Sequence, residues 1–108
     1  MNSPITIESY EELALYCEDQ ELNSIWLGLG RDFANFDERR EAFFWVLRRL
    51  LEEGRIKLVN MRTHIPLEGS VDGQIQRFRD VFPKNDAEMD SGIWFLLEGC
   101  PGGSAWLH

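Results

Sequence analysis

The sequence predicts an α+β fold: N-terminal helices and one central amphipathic helix packed on a small antiparallel sheet, with a C-terminal β-hairpin. Three observations carry that expectation. Apolar residues recur at helical spacing through residues 9–29, 37–53 and 70–82. Ile56–Val59 and Ile93–Leu97 are apolar stretches of strand length. Cys100-Pro101-Gly102-Gly103 then offers turn chemistry, with Pro at i+1 and Gly at i+2 of a type II turn, before Ser104–Leu107.

Each element has its own signals. Ser9-Tyr10-Glu11-Glu12 matches the capping-box pattern, in which hydroxyl and carboxylate satisfy free amides reciprocally, and Tyr10, Leu13 and Cys17 follow at helical spacing. A first helix is therefore expected over residues 9–18. Leu22, Ile25, Trp26 and Leu29 repeat at i, i+3, i+4 and i+7, giving a second over 20–29 whose end Gly28 and Gly30 weaken. Residues 37–53 form the strongest element, with Asn35 or Asp37 as cap and Gly54 where a left-handed residue would stop it. Phe43, Phe44, Val46, Leu47, Leu50 and Leu51 fill one arc of that helix; Glu38, Glu41, Arg48, Arg49 and Glu52 fill the other, with Trp45 in the middle of the charged arc.

Ile56-Lys57-Leu58-Val59 alternates as a strand does. Thr63–Leu67 can pair with it only at an edge, because Pro66 has no backbone donor. Ser70 and Asp72 open a helix with Val71, Ile75, Phe78 and Phe82 inward, and Pro83 ends it. Lys84–Ser91 reads as a loop. Ile93–Leu97, apolar on both strand faces, is expected to be a central strand, with Ser104–Leu107 returning antiparallel.

At 108 residues the chain is expected to form one domain, 1–108, large enough for a core. With 44% hydrophobic and 12% aromatic residues it is not of disordered composition. No signal-peptide pattern is visible and no apolar run approaches bilayer length, so a cytosolic chain is expected. Cys17 and Cys100 are then expected as reduced structural thiols.

Charge is distributed unevenly. Glu8, Glu11, Glu12, Glu18, Asp19 and Glu21 precede the first basic residue, Arg31. Residues 31–62 carry eight Lys/Arg against six Asp/Glu, and 63–108 three against seven, for a net charge of −8. A one-signed acidic segment repels phosphate backbones and anionic lipid and attracts basic surfaces, so neither nucleic acid nor membrane is the expected partner.

Catalytic patterns are scarce. His64 and His108 have no histidine or cysteine within helical or strand reach, CxxC and HExxH are absent, and neither a metal nor a cofactor is expected. Gly99–Gly103 resembles a phosphate loop only superficially, since Pro101 removes an amide, no lysine is near, and no helix is expected after it. Adjacent carboxylates such as Glu11/Glu12, Glu18/Asp19 and Glu52/Glu53 point about 100° apart on a helix, so none makes a facing pair. No enzyme activity is expected. Trp45 has two readings: a second layer packs on that side of its helix, or it is an exposed anchor rimmed by Glu38, Glu41, Arg48 and Glu52.

Three stretches carry a family resemblance: Arg39–Trp45 running into Leu50–Leu58; Gly69-Ser70 with Gln74 and Phe78 through Phe82-Pro83; and Trp94-Phe95, Cys100–Gly103 and Trp106. Together they resemble a family of small bacterial proteins catalogued as a domain of unknown function, members of which occur near polymorphic-toxin and contact-dependent-inhibition loci. The resemblance covers most of residues 36–107. It implies no catalytic residue. What it implies is a cytosolic immunity-type role: stoichiometric binding of a cognate basic toxin, such as a nuclease domain. The expected contacts are Glu11, Glu12, Glu18, Asp19 and Glu21, or Asp86, Glu88 and Asp90, with Trp45 as anchor. The alternatives are an acidic interaction module or adaptor for another basic protein, and a small enzyme with two facing acids or His64 in a cleft.

Overall fold

The computed structural model describes residues 3–108. Three substantial helices come first: α1 (Ile7–Cys17), α2 (Leu22–Leu29) and α3 (Phe36–Glu52). Strand β1 (Ile56–Val59), helix α4 (Val71–Val81) and the single-turn α5 (Asp86–Met89) follow, then a 3-10 stretch, Asp90–Leu96, and strand β2 (Gly103–Trp106). Helices packed around one antiparallel strand pair make the fold α+β.

The helix ends follow local chemistry. Thr6, not Ser9, caps α1: its side chain accepts from the Ser9 amide at 3.0 Å, so the helix starts two residues before the expected capping box. Asn35 caps α3 by accepting from the Glu38 amide at 3.0 Å, and Gly54 (φ +71°) stops it in the left-handed conformation. Ser70 caps α4 through the Gly73 amide at 3.1 Å, and the helix gives way at Phe82 before Pro83.

β1 and β2 pair antiparallel, with Ile56 opposite Trp106 and Val59 opposite Gly103. Pro66 makes a single bridge to Val59 on the outer side of β1, the edge position its missing donor allows. Two expectations are corrected here. Ile93–Leu97 is not a strand, and the partner of β2 is β1. Asp90, Ser91 and Gly92 take positive φ values of 52°, 54° and 91°, which turn the chain tightly, and 3-10 turns follow. Gly92 lies against α2, where an added Cβ would stand 3.4 Å from Asn23 Cβ. Phe95 is buried while Ile93, Leu96 and Leu97 are about half-exposed, a one-sided pattern that a central strand does not show. The segment 84–91 is likewise not all loop, since Asn85 caps α5 through the Glu88 amide at 2.9 Å. Nor does Gly102 supply the positive φ of a type II turn. Its role is close approach: a Cβ there would stand 2.7 Å from the Val59 carbonyl oxygen.

The core is aromatic. Trp26, Phe43, Phe44, Phe78, Phe82 and Phe95 are buried between α2, α3, α4 and the 3-10 stretch, with Phe43 and Phe95 ring centroids 5.0 Å apart and Phe44 and Phe82 also at 5.0 Å. Among the described residues no polar or charged side chain is fully buried. Cys17 and Cys100 are buried free thiols, each pushed up to about 11 by burial.

Candidate functional site

α1 faces two ways because its sequence does. Tyr10, Leu13, Ala14 and Cys17 form an i, i+3, i+4, i+7 stripe that is buried. Glu8, Glu11, Glu12, Leu15 and Glu18 are left on the solvent side. Asp19, left-handed at φ 65°, turns the chain out of the helix, and Glu21 precedes α2 with no side-chain capping bond. All six carboxylates of the basic-free opening are therefore exposed.

The outer face of α1 borders a groove of about 460 Å³ whose other wall is the end of β2. Ala14, Leu15, Trp106 and Leu107 supply its apolar surface; Glu11, Glu12, Glu18 and Arg55 supply its charge. β2 is docked here by the α1–α2 link: the Ser104 hydroxyl and the Trp106 indole N–H both donate to the Gln20 carbonyl at 3.0 Å. Arg55 reaches over from the end of α3, donating to both oxygens of Glu11 at 2.9 Å and approaching Glu53 at 3.2 Å. Glu53 also accepts from the Tyr10 hydroxyl at 2.6 Å and from Arg49 at 2.8 Å. Those two bonds hold the Glu53 carboxyl below its ordinary range. Burial first, and then the bond to Glu53, pushes the Tyr10 phenol far above its ordinary value. At the other end of the groove His108 meets Asp19 at 2.6 Å and Glu18 at 3.9 Å, and the bond to Asp19 raises the imidazole above its usual value.

Of the expected contact residues, the groove gathers Glu11, Glu12 and Glu18. Asp19 adjoins it through His108, and Glu21 lies beside the start of β2, its carboxylate 3.8 Å from where a Gly103 Cβ would stand. Asp86, Glu88 and Asp90 lie elsewhere. α2 packs against both α1 and the 3-10 stretch, and no hydrogen bond or ion pair among the described residues joins the two acidic groups. The Asp86 charge acts on Arg39, whose guanidinium lies 4.3 Å above the Trp26 ring and donates to the Trp26 carbonyl.

Trp45 is half-buried. Its ring stands edge-on to Tyr10 at 5.5 Å and 89°, with Arg49 at 5.6 Å, so α1 is the second layer on that side of α3. Two of the charges around it are committed to α4: Glu41 takes Arg79 through both oxygens at 2.9 Å, and Arg48 pairs with Asp72. Leu15, Arg55, Trp106 and Leu107 were not signalled as site residues. The one sequence clue is Leu15 itself, an apolar residue three positions from Glu12 and three from Glu18.

A second depression, about 630 Å³ between residues 60–63 and 96–101, is larger. Its two charged lining residues, Arg62 and Glu98, approach each other at 3.1 Å. Among the described residues no three His, Cys, Asp or Glu side chains converge as a metal site, and no helix is long and apolar enough to cross a membrane.

Fold and site together define a small acidic α+β domain with carboxylates exposed along one helix face. Residues 51–108 match the family described as "Protein of unknown function, DUF596", and the chain belongs to that family. A solved structure described as an uncharacterized protein conserved in bacteria, from Neisseria meningitidis, is similar at a TM-score of 0.79 and 27% identity. The similarity covers 94% of this chain and 77% of that one. No curated protein matches the chain. α1 and its carboxylates precede the residues that match the family.

Proposed function

We propose that this chain is a cytosolic immunity-type protein that binds and neutralises a basic bacterial toxin, a nuclease domain being the class whose cationic groove best suits it. One observation carries the reading: all six carboxylates of the basic-free opening are exposed, and α1 with its C-cap turns four of them, Glu8, Glu11, Glu12 and Glu18, outward on one face. A neutraliser of a nucleic-acid-cleaving enzyme gains from a surface that competes with phosphate for the same cations. Such complementarity speeds encounter and selects the partner, while affinity comes from buried anchors. Catalysis has no such support: the acids that share the groove, Glu11, Glu12 and Glu18, lie along one helix face, and Glu11 is already held by Arg55.

Coexpression with the toxin domain encoded beside the gene tests the reading. The expected result is growth rescue together with a stoichiometric complex that weakens as salt rises. Absence of both rescue and complex overturns it. Rescue-free capture of some other basic protein would instead favour the adaptor alternative.

A further inference from the structure

We propose that the groove between α1 and the end of β2 receives a basic amphipathic helix of the partner, with apolar side chains on Leu15, Trp106 and Leu107 and cations on Glu12 and Glu18. The partner's basic character rests on the proposed function; the location and form of the contact rest on the groove.

Leu15 is 77% exposed, the most exposed large apolar side chain among the described residues. It stands beside half-buried Trp106 and 42%-exposed Leu107 in one concave surface. An apolar floor inside an acidic rim is the arrangement of an anchor pocket with charged periphery. The rim carboxylates are not equivalent. Glu11 is already held through both oxygens by Arg55. Glu18 has only the 3.9 Å approach of His108, and Glu12 has no ion pair among the described residues. The open acids are therefore Glu12 and Glu18, one turn to either side of Leu15 on the same helix face. At 1.5 Å rise per residue they sit about 9 Å apart along the axis, which matches Lys or Arg placed about two turns apart on a helix lying alongside. A helix also suits the length of contact, since α1 offers 11 residues and β2 only 4.

The test uses the full-length ¹⁵N-labelled protein and a synthetic amphipathic peptide of about 18 residues, long enough to form a helix on binding. The peptide carries a Leu stripe flanked by Lys and Arg; a matched peptide carries Glu in their place. The basic peptide should shift the Leu15 amide and the Trp106 indole N–H, and the acidic one should not. Leu15→Asp should weaken binding about tenfold or more, and the double variant E12Q/E18Q should lower affinity and flatten its salt dependence. E11Q should matter less, because Arg55 already holds that carboxylate. Shifts centred on Asp86–Asp90, equal binding of both peptides, or no binding would overturn the proposal. The coexpression assay separates the two ideas. Protection by the wild type and equally by L15D would sink the groove and leave the function standing. Peptide binding in the groove without protection would do the reverse.

Discussion

The two flanks of α3 are held by different physics. On one, Phe43 and Phe44 meet Trp26, Phe82 and Phe95 in a dry aromatic cluster, with charge only at its edge, where Arg39 lies over Trp26 and Arg79 over Phe44. On the other, Trp45 and Arg49 meet Tyr10, Glu53 and Arg55, where ring contacts are interleaved with hydrogen bonds and charges. The dry flank derives its stability from shape and burial, which are strong but non-directional. The polar flank adds little net free energy per bond, yet its bonds have fixed directions. It is this second flank that seats α1, and hence the acidic face.

The largest effect that can break this contrast is Phe43→Ala. It removes a fully buried ring from the dry cluster and should cost about 3–5 kcal/mol, read as a lowered denaturant midpoint. A loss below about 1 kcal/mol would mean the cluster collapses to fill the space. Tyr10→Phe keeps the ring edge on Trp45 and deletes only the donor to Glu53, so about 0.5–1.5 kcal/mol is expected. Its sharper signature is faster amide exchange in α1 than in α4. Uniform exchange changes would show that the Tyr10–Glu53 bond does not place α1.

The pH dependence gives the smallest and most specific effect. The folded Glu53 and Glu41 carboxyls lie below their ordinary value of 4.5, through bonds from Tyr10 and Arg49 and from Arg79 and Arg40 respectively. Their contribution is complete above that value and fades as pH falls beneath it. His108 is raised from 6.5, so its contribution is complete below 6.5 and fades as pH rises through the folded value. Glu53→Gln should flatten the acid limb of the stability profile, and His108→Gln the slope just above pH 6.5. An unchanged profile in both would show that the charges around α1 are solvated rather than structural.

Much of this contrast is legible in the sequence. The arc Phe43, Phe44, Val46, Leu47, Leu50 is visible because seventeen helical residues give the period room to repeat. Ser70, Asn35 and Gly54 stand where helix chemistry needs them. Ile93–Leu97 is not legible, because five apolar residues fit a strand and a 3-10 turn equally, and what decides is the left-handed run at Asp90, Ser91 and Gly92. The site divides the same way. The exposure of Glu11, Glu12 and Glu18 follows from the stripe opposite them. That Arg55 neutralises one of the three, and that Trp106 and Leu107 complete the groove, depends on contacts between distant parts of the chain. No local pattern encodes those.

The docking of β2 onto the Gln20 carbonyl has a consequence during synthesis. Ser104 and Gln20 are 84 positions apart, and Trp106 lies opposite Ile56. At ribosomal rates of roughly 5–20 residues per second, β1 and the α1–α2 link wait on the order of seconds for their partner strand. During that interval Ile56 and Leu58, both buried in the finished fold, lack the strand that pairs with them. Helices can form in microseconds, but closing so long a loop cannot begin before its far end exists. β2 therefore joins a chain whose helices have already been made, and its arrival completes both the strand pair and the groove.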